Sequence, residues 1–219
     1  TRAVDLVPEN VHDFCGANEL ALTDNLNDAF SDPDIDAVVL VTPHSQHADQ
    51  IVAGAAAGKH ILTEKPFALK KADGLRAAKA MTDAGLTLGI GHNYRYGAAI
   101  WEMKKIIESG KLGEIHHIEG NLSHQGQLGV EGWRRSSEEA PTGGIVHFGA
   151  HIIDIMCWYG GPMREVYAQL ESRIIDHDVG SVLVKFESGT TGYLANLMTT
   201  PASFHLHVMG SQGWARANG

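Results

Sequence analysis

Lys59-His60-Ile61-Leu62-Thr63-Glu64-Lys65-Pro66 is the stretch on which the fold of this chain turns. An apolar run that ends in a lysine followed by proline reads as a β-strand delivering an ammonium to the carboxyl edge of a sheet. Open α/β sheets bind their ligands at that edge. Proline fixes its own φ and biases the preceding residue toward an extended backbone, so the direction of Lys65 is restricted. Taken alone, the stretch reads equally well as a strand ending in solvated charges. A second cluster far downstream, Gly143-Gly144-Ile145-Val146-His147-Phe148-Gly149-Ala150-His151-Ile152-Ile153-Asp154, turns the reading toward a functional site.

Around the first stretch, short β-branched runs alternate with helical segments. Ala37-Val38-Val39-Leu40-Val41-Thr42 is continuously apolar up to its last residue, as expected for a strand covered on both faces. Residues 45–57 read as a helix ended by Gly58, 60–64 as a strand, 71–84 as a helix and 86–91 as another strand. That order predicts right-handed βαβ units and a parallel sheet. Upstream, 2–6 reads as the end of a strand, with helices at 8–15 and 26–30.

Beyond Tyr96 the grammar changes. The pattern predicts an amphipathic helix over 98–109, a strand over 114–123, a polar loop over 124–141 and a helix over 144–159. Four strands then follow without intervening helices, at 165–175, 180–187, 190–198 and 203–209. In Val182-Leu183-Val184-Lys185-Phe186 the even positions are consistently apolar, and Glu187-Ser188-Gly189-Thr190 makes a hairpin turn. The expected architecture is a parallel α/β domain over 1–96 and an α+β domain with an open, mainly antiparallel sheet over 97–219.

Composition narrows the function classes. The 17 basic residues are spread thinly and the net charge is −9, which argues against nucleic acid or an anionic membrane surface as partner. No apolar stretch approaches the ~18 residues of a membrane span. Cys15 and Cys157 fit no metal or redox spacing, and a reducing cytoplasm is the expected location.

Six stretches in order carry a resemblance: residues 37–47; Glu64-Lys65-Pro66; Gly91-His92-Asn93-Tyr94-Arg95; residues 110–115; Trp133-Arg134; and residues 143–154. Together they resemble the glucose–fructose oxidoreductase / inositol dehydrogenase / rhizopine catabolism (Gfo/Idh/MocA) family. The resemblance implies a Rossmann-type first domain and an NAD(P)-dependent oxidoreductase acting on a hydroxyl or carbonyl carbon of a sugar, polyol or similar small molecule. It implies a homo-oligomer formed through the C-terminal sheet. By the same resemblance Thr42, Pro43 and His47 lie beside the nicotinamide, Glu64 contacts its ribose, and Asn93 joins the cofactor site. Lys65 sits between cofactor and substrate, His151 is the catalytic histidine, and Arg95, Arg134, His147 and Asp154 face the substrate. Histidine titrates near neutrality and suits the base that withdraws a hydroxyl proton, and a nearby ammonium stabilises the developing alkoxide. Asp154 also reads as a residue pairing on its own helix, and Tyr94, Tyr96 and Trp133 as packing or pocket wall.

Two departures stand out. His147 occupies a position where many relatives carry aspartate, and with His151 it has the i, i+4 spacing of a metal pair. A metal-dependent hydrolase built on His147, His151 and Asp154 is therefore one rival reading. A non-catalytic ligand-binding or regulatory relative of the same fold is another. The second departure is that no Gly-x-Gly-x-x-Gly occurs in the 219 residues. By resemblance the chain starts near the family's second strand and stops before its C-terminal end, as an internal piece of a larger enzyme. Asp5 then matches the acid that binds the adenosine ribose. With Leu6 rather than arginine after it, NAD is expected over NADP. Without its first strand, the sheet is expected to pair residues 2–5 directly with 37–42, to borrow a strand, or to leave its N-terminal half poorly ordered. NAD binding by these residues alone is expected to be weak.

Overall fold

A computed structural model describes residues 1–125, 133 and 136–218. The chain divides into two compact units, Thr1–Gly91 and His92–Gly219, with the turn Asn93–Tyr96 belonging to the second.

In the N-terminal unit β1 (Arg2–Val4) leads through α1 (His12–Ala17) to β2 (Ala21–Thr23), and the two strands pair in parallel. After α2 (Leu26–Phe30) come β3 (Ala37–Leu40), α3 (His47–Ala56), β4 (His60–Thr63), α4 (Lys71–Asp83) and β5 (Leu88–Ile90). These give a second parallel sheet of order β3-β4-β5. The expected βαβ grammar is present. Direct pairing of residues 2–5 with 37–42 is not formed: among the described residues β1 pairs only with β2, and β3 only with β4. Helices α3 and α4 cover one face of β3-β4-β5, burying Leu40, Ile51, Ile61, Ala77 and Met81. On the other face Val39, Val41 and Leu62 are 63%, 66% and 46% exposed, so the expectation of a strand covered on both faces is corrected. Helix packing here comes from one side only.

The second unit runs α5 (Ala98–Glu108), β6 (Ile115–Ser123), α6 (Ala150–Gly160), β7 (Met163–Glu171), β8 (Val179–Phe186), β9 (Thr191–Leu197), β10 (Ser203–Gly210) and β11 (Trp214–Asn218). One six-stranded sheet results, of order β11-β10-β6-β9-β8-β7. All its pairings are antiparallel except β6 with β9. The even-numbered apolar positions of β8 turn inward with Ile118, Leu194, Leu206 and Val208, against Ile152, Ile155 and Met156 of α6. The other face carries Tyr167, Leu183 and Trp214, all more than half exposed. Among the described residues no helix is long and apolar enough to cross a membrane.

The helix expected over 144–159 begins with a π-helical turn, Ile145–Gly149, before α6 proper. Its entry is tight. Gly143 has φ +50°, a left-handed conformation that glycine adopts without steric cost, and a Cβ at Gly144 would collide with the Asn196 side chain. Wide turns of this kind recur at functional sites because they re-aim the side chains that follow.

Candidate active site

In the N-terminal unit the candidate cofactor residues gather where β3, β4 and β5 end. Hydrogen bonds from Glu64 N to Leu40 O (2.9 Å) and from Gly91 N to Thr63 O (2.8 Å) extend the parallel ladder one residue beyond each strand. Glu64 therefore emerges at the carboxyl edge with its carboxylate over Gly91, where an added Cβ would stand 3.1 Å from Oε1. Lys65 follows, half-buried, its backbone N–H donating to Glu64 Oε2 at 3.2 Å. The Thr42 hydroxyl donates to Gln50 Oε1 at 2.6 Å, and Gln50 in turn donates to Gln46. His47 has no exposed surface. Its Nδ1 lies 2.8 Å from Pro66 O and its Nε2 3.0 Å from Thr42 O, so the ring ties the turn after β3 to the loop carrying Lys65. Asp5, just past β1, accepts the Val7 N–H at Oδ1 (2.8 Å), with exposed Leu6 beside it and no basic neighbour in sequence.

In the C-terminal unit the turn Asn93–Tyr96 meets α6. Arg95 grips Asp154 with two parallel bonds, Nε to Oδ2 at 2.5 Å and an η nitrogen to Oδ1 at 2.6 Å. His92 Nε2 stands 3.8 Å from the same carboxylate. The bond to Asp154 holds the Arg95 guanidinium above its ordinary pKa, against the opposing effect of burial. Tyr94 stacks on His151 with ring centroids 4.4 Å apart and planes 29° from parallel. His151 is 6% and His147 7% exposed. His147 lies in the π-helical turn, beside Phe148, whose ring stacks on His124 at 4.9 Å. Exposed Asn93 lines a groove of about 280 Å³ with Tyr94, Ile100 and Phe204. Cys157, one turn beyond Asp154, has its thiol pKa raised, first by burial and then by that carboxylate.

Thus Arg95, Asp154 and His151 share one corner with His92 and Tyr94, while Thr42, His47, Glu64 and Lys65 share another in their own unit. Arg134 lies outside the described residues. The metal reading loses its third ligand, because Asp154 is committed to Arg95. Among the described residues no group of three or more His, Cys, Asp or Glu is arranged to hold a metal. His92 and the Tyr94 stack escaped the sequence reading. The available signal was a histidine and a tyrosine flanking Asn93 just ahead of Arg95.

Residues 1–92 match an oxidoreductase family described as having an NAD-binding Rossmann fold, and residues 100–216 match the GFO/IDH/MocA C-terminal domain. The chain belongs to the Gfo/Idh/MocA family. This family member is 31% identical over 183 residues to the 1,5-anhydro-D-fructose reductase of Ensifer adhaerens, covering 83% of this chain and 53% of that protein. It is 28% identical over 204 residues to the scyllo-inositol 2-dehydrogenase (NAD(+)) of Bacillus subtilis (strain 168), covering 85% and 56%. Its structure matches the WlbA dehydrogenase from Bordetella pertussis, solved in complex with NADH and UDP-GlcNAcA, with a TM-score of 0.90. That match has 29% identity over 99% of this chain and 65% of the other. The chain spans between about half and two thirds of the length of these relatives.

The donor set fits parts of a dinucleotide. A carboxylate without a basic neighbour at Asp5 suits a ribose diol, and the Thr42 hydroxyl, Glu64 and Lys65 at the carboxyl edge suit the nicotinamide half. No Gly-x-Gly-x-x-Gly motif occurs in the 219 residues.

Proposed function

We propose that the whole protein is an NAD-dependent oxidoreductase that moves a hydride between a nicotinamide and a carbinol or carbonyl carbon of a sugar or polyol, with NADP the alternative cofactor. The observation that carries the reading is the retention, in a Gfo/Idh/MocA chain, of a lysine at the carboxyl end of β4 and a histidine on the inward face of α6. Asp5 would hold the adenosine ribose, Glu64 the nicotinamide ribose, and Thr42, Pro43 and Asn93 the nicotinamide end. His47 serves the site by fixing the Thr42 and Pro66 backbones. The nicotinamide, when bound, supplies the hydride acceptor.

In oxidation His151 takes the hydroxyl proton while the C–H electron pair departs as hydride, so the C–O bond becomes C=O. Lys65 stabilises the alkoxide as it forms. Reduction runs the same transfers backwards, with His151 returning the proton. Arg134 and His147 belong to the substrate side. The first unit thereby serves as nucleotide-binding domain and the second as substrate-binding and oligomerisation domain. The open face of the six-stranded sheet is the surface proposed for self-association, because Tyr167, Leu183 and Trp214 leave it partly apolar. Two free thiols, Cys15 and Cys157, support a cytoplasmic setting.

The test is turnover of a panel of sugars and polyols with NAD by the whole protein. Lys65→Ala and His151→Ala are each expected to lower kcat by about 100-fold or more while leaving NADH binding within a few-fold. Undiminished turnover in His151→Ala would remove it from the mechanism.

A further inference from the structure

The corner at α6 is built in two rungs. His151 and Asp154 are three residues apart and so share one face of the helix. Tyr94 and Arg95 are consecutive in the turn that meets that face. Tyr94 lies on His151 and Arg95 on Asp154, so each residue of the turn meets one residue of the helix. The lower rung is rigid: a bidentate guanidinium–carboxylate pair fixes direction as well as distance, and the Asp154 side chain is only 11% exposed. The same guanidinium sits 5.5 Å over the ring of Trp158, one helical turn further on, and the Trp158 carbonyl accepts the Lys104 ammonium at 2.7 Å. The upper rung is backed by Phe204 of β10, whose ring centroid is 6.4 Å from that of Tyr94.

We propose that Tyr94 is a positioning residue for His151. It holds the imidazole plane in the orientation for proton exchange with the substrate hydroxyl. The Arg95–Asp154 pair acts on the reaction by holding Tyr94 in place rather than by touching the substrate. The proposal rests on His151 being the base. Its physical content is twofold. A stacked aromatic removes the rotation about the His151 side chain that would have to be frozen in each turnover. Its π face also attracts the imidazolium that forms when His151 takes the proton. Among the described residues His92 from the turn meets this ring edge-on, with centroids 6.2 Å apart; Asp154, paired with Arg95, and His147 stand about one helical turn away from His151 on either side in sequence.

Two readouts test this on the whole protein. In NMR the His151 Hε1 resonance, identified by its loss in His151→Ala, is expected to carry an upfield ring-current shift from the Tyr94 ring stacked on the imidazole. Tyr94→Leu is expected to abolish that shift and to lower the titration midpoint of His151 by about half a pH unit. Tyr94→Phe, which keeps the ring, is expected to restore both. In turnover with the sugar or polyol found active, Tyr94→Leu should lower kcat about 10- to 100-fold with KM changed little, and Tyr94→Phe should recover it to within a few-fold. Arg95→Lys, which cannot make the bidentate grip, should lower kcat in the native background and add little to Tyr94→Leu. An unshifted His151 resonance and midpoint in Tyr94→Leu, or unchanged kcat, overturns the proposal. If His151→Ala retains turnover while the NMR changes occur as expected, the assignment of the base fails and the stacking stands.

Discussion

The two units use the same strand vocabulary and bury it differently. In the C-terminal unit six strands run in one uninterrupted sheet, and Phe186, Ile118, Leu206 and Val208 disappear completely beneath α6 and its neighbours. In the N-terminal unit five strands divide into sheets of two and three, and Val39, Val41 and Leu62 stay exposed although they sit in the most apolar runs of the chain. Intrinsic preference decides that Ala37–Leu40 is a strand. Which neighbours it has decides how much of it is buried, and hydrophobic stabilisation follows the buried area.

The largest effect expected from this contrast is in the cores. Phe186→Ala removes a side chain without exposed surface that packs against the last turn of α6, where a Cβ added at Gly160 would come within 3.0 Å of the Phe186 ring. It should cost about 4 kcal/mol. Leu40→Ala, at a core position of a three-stranded sheet with one covered face, should cost about 2–3 kcal/mol, because a less enclosed site relaxes more easily. All four tryptophans follow Gly91 in sequence, so their fluorescence reports on the C-terminal unit, while circular dichroism reports on both. Urea titrations read by the two signals separate the units. A larger cost for Leu40→Ala than for Phe186→Ala would reverse the contrast.

Next is the fate of the two exposed apolar faces. The face carrying Leu183, Tyr167 and Trp214 is proposed as a self-association surface. A glutamate on that face, Leu183→Glu on β8, should weaken assembly by about 100-fold, or close to 3 kcal/mol, and lower the mass seen by light scattering. An unchanged mass would return that face to solvent.

How much of this was legible beforehand follows the same division. Alternating strands and helices, the change of pattern beyond Tyr96, and the inward even positions of β8 all come from periodicity, a local property. β2 escaped because three residues hold too little pattern. β11 escaped because its inward positions are Ala215 and Ala217, too small to mark a period of two against Trp214, Arg216 and Asn218. The parallel β6–β9 pairing in a sheet expected to be mainly antiparallel is a matter of strand order, which periodicity does not encode. At the candidate site, Lys65 and His151 stand out in the sequence as candidate residue types in context. The union of Arg95 with Asp154 does not, since it joins residues far apart in sequence and turns two candidate substrate ligands into each other's partners.

The smallest expected effect sharpens the contrast through acid. Each unit carries one aspartate that braces a loop and is held below its ordinary pKa. Asp32 in the first unit accepts the Asp34 N–H (2.9 Å) and the Arg2 guanidinium (3.1 Å), and these bonds favour its charged form. Asp178 in the second has no exposed surface, and burial pushes its pKa upward. Hydrogen bonds from Arg173 N (2.7 Å), the Thr199 hydroxyl (2.9 Å) and Ile174 N (3.1 Å) outweigh that and hold it down. A carboxylate whose folded pKa is depressed contributes stability above its unfolded pKa near 4, and loses it as pH falls through the folded value. Asp178→Asn keeps the shape but replaces an acceptor with an amide that opposes one of these donors. It should cost about 2 kcal/mol at pH 7 and remove part of the decline in stability below pH 4. Asp32→Asn should change the acid limb less, because its carboxylate is partly solvated and its arginine partner is available to water. Urea midpoints between pH 3 and pH 7, read by tryptophan fluorescence for Asp178 and by circular dichroism for Asp32, measure both. If Asp32→Asn flattens the acid limb more than Asp178→Asn does, the buried brace is not the acid-sensitive one, and the continuous sheet owes less to its loop than its geometry implies.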